Sequence, residues 1–162
     1  MKIYIGSDHA GFALKQALIA HLGMQGHIVV DKGAHTLTPG DDYPDFIFPV
    51  AFAVASEVEK GRTTDEVRGI VIGGSGQGEA IAANRITGIR AAVYYGGSLF
   101  NAHFDIVKLS RQHNDANILS FGARFVSTSR AKKALDLWVA TPFSNDPRHI
   151  RRIKKLDAHK LK

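Results

Sequence analysis

Residues 68–79 have the sequence RGIVIGGSGQGE, and this stretch decides the fold. Its first half is a short run of apolar, β-branched residues, which is typical of a strand buried on both faces. Its second half alternates four glycines with small polar residues and leads into an apolar helical pattern. A buried strand, a glycine loop and a helix in succession predict one βα unit of a parallel sheet.

Strand-like and helix-like segments alternate along the rest of the chain in the same way. Besides residues 68–73, strands are predicted at 2–6, 27–30, 89–95 and 118–121. We therefore predict an α/β fold, a three-layer, doubly wound, Rossmann-like sandwich with a five-stranded parallel sheet in the order 2-1-3-4-5. The 162 residues are expected to form one domain, residues 1–162, with ligands bound beyond the carboxyl ends of the strands.

The composition excludes several classes of protein. Apolar residues make up 44% of the chain and charged residues 22%, values typical of globular proteins. The chain has no cysteine, which excludes disulfides, thiolate metal sites and a cysteine nucleophile. No apolar run reaches the roughly 18 residues of a membrane span, and no signal-peptide pattern is present. We expect a soluble, cytoplasmic protein.

The positive charge is confined to the end of the chain. The net charge is +6, and residues 148–162 hold seven Lys or Arg against Asp157 alone. Ile150, Ile153 and Leu156 recur at helical spacing within this segment, so we predict a basic amphipathic helix. Its Arg148 and Arg152 are i, i+4 neighbours that can converge on one phosphate. A nucleic-acid-binding tail is the alternative, although the segment is short and contains no aromatic residue.

The glycine loop favours a site for an anion. Glycines let backbone N–H groups approach a ligand closely. The loop differs from a dinucleotide fingerprint in its glycine spacing, and no Lys-Ser or Lys-Thr follows it as in a Walker loop. A nucleotide-binding module remains the alternative hypothesis.

Two kinds of side chain near predicted strand and helix ends could transfer protons. Glu79 follows the loop directly and could act as a general base beside its amides, although acidic residues are also common in first helical turns. His9 follows the first strand, and His113 lies at a helix end before the fifth strand. No histidine pair has the spacing of a helical metal site, so we predict no metal.

Several motifs, in order along nearly the whole chain, resemble the family of ribose-5-phosphate isomerase type B and galactose-6-phosphate isomerase. The motifs that carry the resemblance are Asp8-His9-Ala10-Gly11, Asp42-Tyr43-Pro44, residues 73–79, 81–84, 88–91, 110–117, 122–124 and 148–152.

The resemblance implies a role for each matching position. Glu79 is similar to the base that moves a proton between C1 and C2, and Gly73 stands where many relatives have a cysteine, so the chain resembles a glutamate subtype. His113 matches the acid that opens the sugar ring. The other expected substrate contacts are Asp8 and Asn114 for hydroxyls, His9, Arg124, Arg148 and Arg152 for phosphate, Tyr43 and His149 as lining, and the amides of Gly74, Ser75, Gly76, Gln77 and Gly78 as an anion hole.

The resemblance also implies the reaction and the assembly. We expect an aldose–ketose isomerase of the pentose phosphate pathway that interconverts ribose 5-phosphate and ribulose 5-phosphate through a cis-enediolate. It would have no cofactor and no nucleic-acid or membrane partner. Relatives are homodimers or dimers of dimers with a shared active site, and we expect the basic helix to dock on a partner subunit. The segment 95–109 is longer than in relatives, so a six-carbon substrate, allose or galactose 6-phosphate, is the alternative.

Overall fold

The structure, a computed structural model, describes residues 1–96 and 103–158, so the predicted long segment 95–109 lies partly outside the described residues. The described chain contains a five-stranded parallel sheet and six helices. The strands are β1 Lys2–Ser7, β2 Ile28–Asp31, β3 Val67–Gly73, β4 Ala91–Tyr94 and β5 Ile118–Gly122. The helices are α1 Phe12–Met24, α2 Pro44–Glu59, α3 Gln77–Ala83, α4 His103–Asn114, α5 Thr128–Ala140 and α6 Pro147–Asp157.

The sheet separates two apolar cores, which confirms the predicted three-layer architecture. Side chains alternate between the faces of each strand, so Ile70 and Ile72 enter one core while Val71 enters the other. Leucines of α1, Val107 of α4 and the buried face of α5 around Trp138 fill the first core. Helices α2 and α3 cover the second. Burial on both faces explains why the strands are continuous apolar runs.

The strand order is 2-1-3-5-4, so the predicted order 2-1-3-4-5 is wrong. β5 takes the place beside β3, and β4 lies at the edge. Burial explains why β5, and not β4, lies beside β3. Every residue of β5 is buried, whereas three of the four residues of β4 are only partly buried. The longer, more apolar strand gains more from an interior position.

Local signals set the starts of the last two helices. Ser127 caps α5 by accepting a hydrogen bond from the backbone N–H of Arg130. Asp146 caps α6 in the same way, and Pro147 occupies its first turn. The predicted basic helix therefore exists. Its His149 is buried, whereas Leu156, on the predicted docking face, is 61% exposed.

No helix in the described part of the chain is both long and apolar enough to span a bilayer.

Candidate active site

The candidate functional residues form two groups. The first, called the Glu79 group, lies where the sheet reverses its direction of winding and comprises Asp8, His9, Tyr43, the glycine loop 74–78, Glu79 and Arg124. The chain goes from β1 outward to β2 and then returns to β3, so β1 and β3 are adjacent. Ser7 pairs with Ile72, which places Asp8 and His9 beside the glycine loop that follows Gly73. Such a point, at the carboxyl ends of the strands, is the usual ligand site of a doubly wound sheet.

The glycine loop is held from three sides. Gly76 has a positive φ of 77°, and its carbonyl accepts a hydrogen bond from the Ser120 hydroxyl at 2.7 Å. The side chain of Arg124 lies against Gly74, and the ring of Tyr43 lies against Gly78. Within the loop, the Ser75 hydroxyl accepts a hydrogen bond from the backbone N–H of Gln77. The structure therefore places Tyr43 and Arg124 against the loop.

The carboxyl group of Glu79 is the central feature of this group. Glu79 is 4% exposed, and among the described residues its Oε2 has no hydrogen-bond partner. Burial raises its pKa, and the negative charge of Asp8 raises it further, while the backbone N–H groups of Glu79 and Gly76 oppose the rise. A buried carboxylate with a raised pKa and one free oxygen is suited to accept a proton from a bound molecule.

Asp8 and His9 have an acidic neighbour, Asp41. Asp8 is buried and accepts a hydrogen bond from the backbone N–H of Gly11 at 3.0 Å. Oδ1 of Asp41 lies 2.9 Å from the backbone nitrogen of His9 and 2.6 Å from its Nδ1. Donor atoms of Asp8, His9 and Asp41 lie within 4.8 Å of one another, the spacing of metal ligands. A cation bound there would have to displace the hydrogen bond between His9 and Asp41.

The second group of candidate residues, called the His113 group, lies where α4 ends and α6 begins. It comprises His113, Asn114, Arg148, His149 and Arg152. The rings of His113 and His149 stack with centroids 4.3 Å apart and an angle of 14° between planes. Burial lowers the pKa of His149, and the nearby His113, Arg148 and Arg152 lower it further. Cationic and imidazole groups thus converge here, a combination suited to bind an anion and to transfer protons.

The backbone that carries His113 is anchored by partly and fully buried charged side chains. Arg90 donates from Nε to the carbonyl oxygens of Asn114 and Asp115 at 3.0 and 3.1 Å. Asp115, at a φ of 46°, accepts hydrogen bonds from Arg90, Arg111 and Thr64. This network orients the end of α4 and with it His113 and Asn114.

The Glu79 group and the His113 group lie at opposite ends of the strands. Helices in such a fold run antiparallel to the strands, so the end of α4 lies near the amino ends. Consistently, Asn117 accepts a hydrogen bond from Gly69, near the start of β3. The seven residues of β3 span about 20 Å. Among the described residues, no hydrogen bond, ion pair or ring contact joins the two groups, so one chain does not bring His113, Asn114, Arg148, His149 and Arg152 to Glu79.

Asp41 is the residue that sequence reasoning missed. It lies 32 residues from His9 along the chain, so no local spacing relates the two. The signal available was its place in the polar loop 38–42 before α2, and only the fold shows that this loop returns to the end of β1.

Residues 3–156 match the family of ribose/galactose isomerases. The chain belongs to this family, which confirms the resemblance of its motifs. Several curated relatives are named ribose-5-phosphate isomerase B. The chain is 42% identical to that of Mycolicibacterium paratuberculosis over 94% of this chain and 87% of the relative. It is 40% identical to that of Escherichia coli over 97% and 95% of the two chains.

Solved structures of proteins named ribose-5-phosphate isomerase B have the same fold as this chain. Ribose-5-phosphate isomerase B from Clostridium thermocellum superposes with a TM-score of 0.84 at 41% identity, covering 97% of this chain and 95% of that chain. The protein from Mycoplasma genitalium, solved with bound ribulose-5-phosphate, gives 0.85 at 36% identity, with coverages of 96% and 93%.

Proposed function

We propose that the protein is an aldose–ketose isomerase that interconverts ribose 5-phosphate and ribulose 5-phosphate, with Glu79 as the base. The observation that carries the proposal is the buried carboxylate of Glu79, whose Oε2 lacks a partner among the described residues, beside the glycine loop. The relative from M. genitalium that binds ribulose-5-phosphate supports the choice of substrate.

The reaction is a balanced proton transfer. Glu79 removes the hydrogen from C2 of the open-chain aldose, and the C–H electrons form the C1–C2 double bond of a cis-enediolate while charge moves to O1. The proton on O2 passes to O1, and the protonated Glu79 returns its proton to C1, which leaves a ketone at C2. A carboxyl group with a raised pKa serves both steps, since it must accept a proton from carbon and give it back. The steps need no cofactor.

The residues around Glu79 would bind the substrate and stabilise the transition state. Backbone N–H groups of residues 74–78 would face the developing oxyanion, and a lost donor of this kind costs about 3–4 kcal/mol of transition-state stabilisation. Asp8 would hold a hydroxyl group. His9 and Arg124 would contact the phosphate, and Tyr43, whose ring lies against Gly78, would line the site.

We propose that a second copy of the chain completes the site. Opening of the sugar ring needs an acid, which would be His113, with Asn114, Arg148, His149 and Arg152 around it. The separation of the two groups across the sheet supports a homodimer, or a dimer of dimers, in which each site combines the Glu79 group of one protomer with the His113 group of the other. The exposed Leu156 on α6 is consistent with docking on a partner.

Activity of Glu79→Gln tests the base. The amide cannot accept the proton, so kcat should fall by about 10²- to 10⁴-fold, with KM changed far less. Glu59→Gln, at the exposed end of α2, is the matched control and should retain wild-type turnover. Wild-type turnover in D2O should place deuterium on C1 or C2. Deuterium enters only where the protonated Glu79 exchanges with solvent before it returns the proton, so the decisive outcome is the variant: wild-type turnover in Glu79→Gln would contradict the proposal.

Substrate size is tested separately. We expect a higher kcat/KM for ribose 5-phosphate than for allose 6-phosphate or galactose 6-phosphate under the same conditions. A preference for a six-carbon sugar would overturn the choice of substrate and leave the Glu79 chemistry intact.

A further inference from the structure

The imidazole of His9 is held by a single carboxylate oxygen. Oδ1 of Asp41 accepts hydrogen bonds from the backbone N–H of His9 at 2.9 Å and from its ring Nδ1 at 2.6 Å. Two bonds from one residue to one oxygen fix both the backbone and the ring. The other ring nitrogen, Nε2, then lies on the side of the ring away from Asp41.

The carboxylate of Asp41 is largely buried where it contacts His9. Its side chain is only 10% exposed, and among the described residues its buried Oδ2 has no hydrogen-bond partner. Burying a carboxylate costs free energy unless a partner compensates for the lost solvation. Among the described residues, the ion pair of Asp41 is with His9, so the stabilisation of this carboxylate comes from the ring and the backbone N–H of His9.

Asp8 does not take over this task. It is buried and lies close to His9, but its Oδ1 accepts the backbone N–H of Gly11 at the start of α1. Among the described residues, Asp41 is therefore the acidic side chain that bonds to the His9 ring.

We propose that Asp41 is a positioning residue that fixes the Nδ1–H form of His9 and presents Nε2 to the phosphate group of the substrate. The role of His9 toward phosphate rests on the proposed function. Because the phosphate oxygen accepts a hydrogen bond, Nε2 must carry a proton in the complex. With Nδ1 also donating to Asp41, the bound ring is an imidazolium, and the Asp41 carboxylate is its counter-charge.

Three variants of the full-length protein separate hydrogen bond from charge. Asp41→Ala removes both. Asp41→Asn keeps an acceptor oxygen of the same size and removes the charge. Asp42→Asn is the matched control, since Asp42 is the exposed neighbour in the same loop.

The first readout is the tautomer of His9, measured by long-range ¹⁵N–¹H spectra of the ligand-free protein and assigned with His9→Asn. We expect Nδ1–H in the wild type, Asp42→Asn and Asp41→Asn, and a shift to Nε2–H in Asp41→Ala. The second readout is the affinity for inorganic phosphate by calorimetry. It should weaken by about 10- to 100-fold in Asp41→Ala, and less in Asp41→Asn, because a hydrogen bond to a charged group is lost. KM for ribose 5-phosphate should rise by a larger factor than kcat falls.

An unchanged tautomer and unchanged phosphate affinity in Asp41→Ala would overturn the inference. If Asp41→Ala does not fold, unaltered phosphate affinity in Asp41→Asn overturns it equally. The proposed function fails on its own if the wild type isomerises no sugar phosphate, and the tautomer and phosphate measurements remain valid in that case. Normal isomerase activity with Asp41 variants that match Asp42→Asn would refute only the role of Asp41.

Discussion

The carboxyl group of Glu79 occupies the volume into which a side chain on Gly73 would project. The last residue of β3 must therefore lack a side chain for the carboxyl group from α3 to reach the edge of the glycine loop. Position 73 is also where the sequence resemblance places a cysteine in many relatives. A side chain from position 73 and a carboxylate from position 79 thus compete for one space, and this chain fills it with Glu79.

Gly73→Ala should displace the carboxylate while leaving the fold intact. A methyl group at this position overlaps the Glu79 carboxyl group, and small misplacements of a reacting group lower rates steeply. We expect kcat to fall by about 100-fold or more, measured by steady-state kinetics. Gly23→Ala is the matched control, because a Cβ there meets nothing within 4 Å. Wild-type turnover in Gly73→Ala would show that the Glu79 carboxyl group need not stay in this space.

The pH dependence should report the environment of Glu79. Its pKa is raised by burial first and by Asp8 second, so kcat/KM should rise with pH along a limb shifted above the ordinary glutamate range. Asp8→Asn removes a negative charge, which lowers the pKa of Glu79 and moves the limb to lower pH, whatever its effect on the maximum rate. The substrate phosphate also titrates, near pH 6, but identically for both proteins.

Asp45→Asn, an exposed change in the first turn of α2, should leave the limb in place. A limb that does not move in Asp8→Asn, or that moves to higher pH, would refute the assignment of this limb to Glu79.

Mixed dimers should reveal a site built from two chains. Glu79→Gln and His113→Ala disable opposite groups, and each variant alone should be nearly inactive. Refolded together in equal amounts, half of the dimers are mixed, and each mixed dimer contains one site with both groups intact. We expect recovery of about a quarter of wild-type activity. Native mass spectrometry should confirm mixed dimers, and no recovery in their presence would place the complete site within one chain.

The buried charge network near His113 should be costly to disrupt. Asp115→Ala removes the nearer carboxylate partner, at 2.8 Å, of the fully buried Arg111, whose pKa burial already lowers, and leaves only the more distant Asp65 at 3.7 Å among the described residues. We expect the free energy of unfolding in urea to fall by about 3–5 kcal/mol. Arg62→Gln, which breaks an exposed ion pair with Glu66, should change it much less. Equal losses in both variants would contradict a stabilising role for Asp115.

Sequence periodicity located the strands because strands buried on both faces must be continuously apolar, as Ile70–Ile72 are. It could not decide the order of β4 and β5, since both orders have the same alternation of strands and helices. The distinguishing signal was weak. It lay in the small Ala91 and Ala92 of β4, compared with the larger apolar residues of β5.

The first half of the site was largely predictable because Glu79 and its loop are contiguous in sequence. Asp41 was not, because its contact with His9 depends on how a distant loop folds back. The separation of His113 from Glu79 follows from the direction of α4. A helix that leads into a parallel strand ends near the amino ends of the strands, whereas Glu79 lies near their carboxyl ends.

The place of β5 between β3 and β4 has a consequence for a chain emerging from the ribosome. The carbonyl groups of Gly73 and Gly74 accept hydrogen bonds from Ala123 and Arg124, which follow β5. Until those residues are translated, β4 has no neighbour on its β5 side and the glycine loop lacks its cross-links. Although Glu79 leaves the ribosome earlier, its surroundings take shape only when Ala123 and Arg124 have been translated.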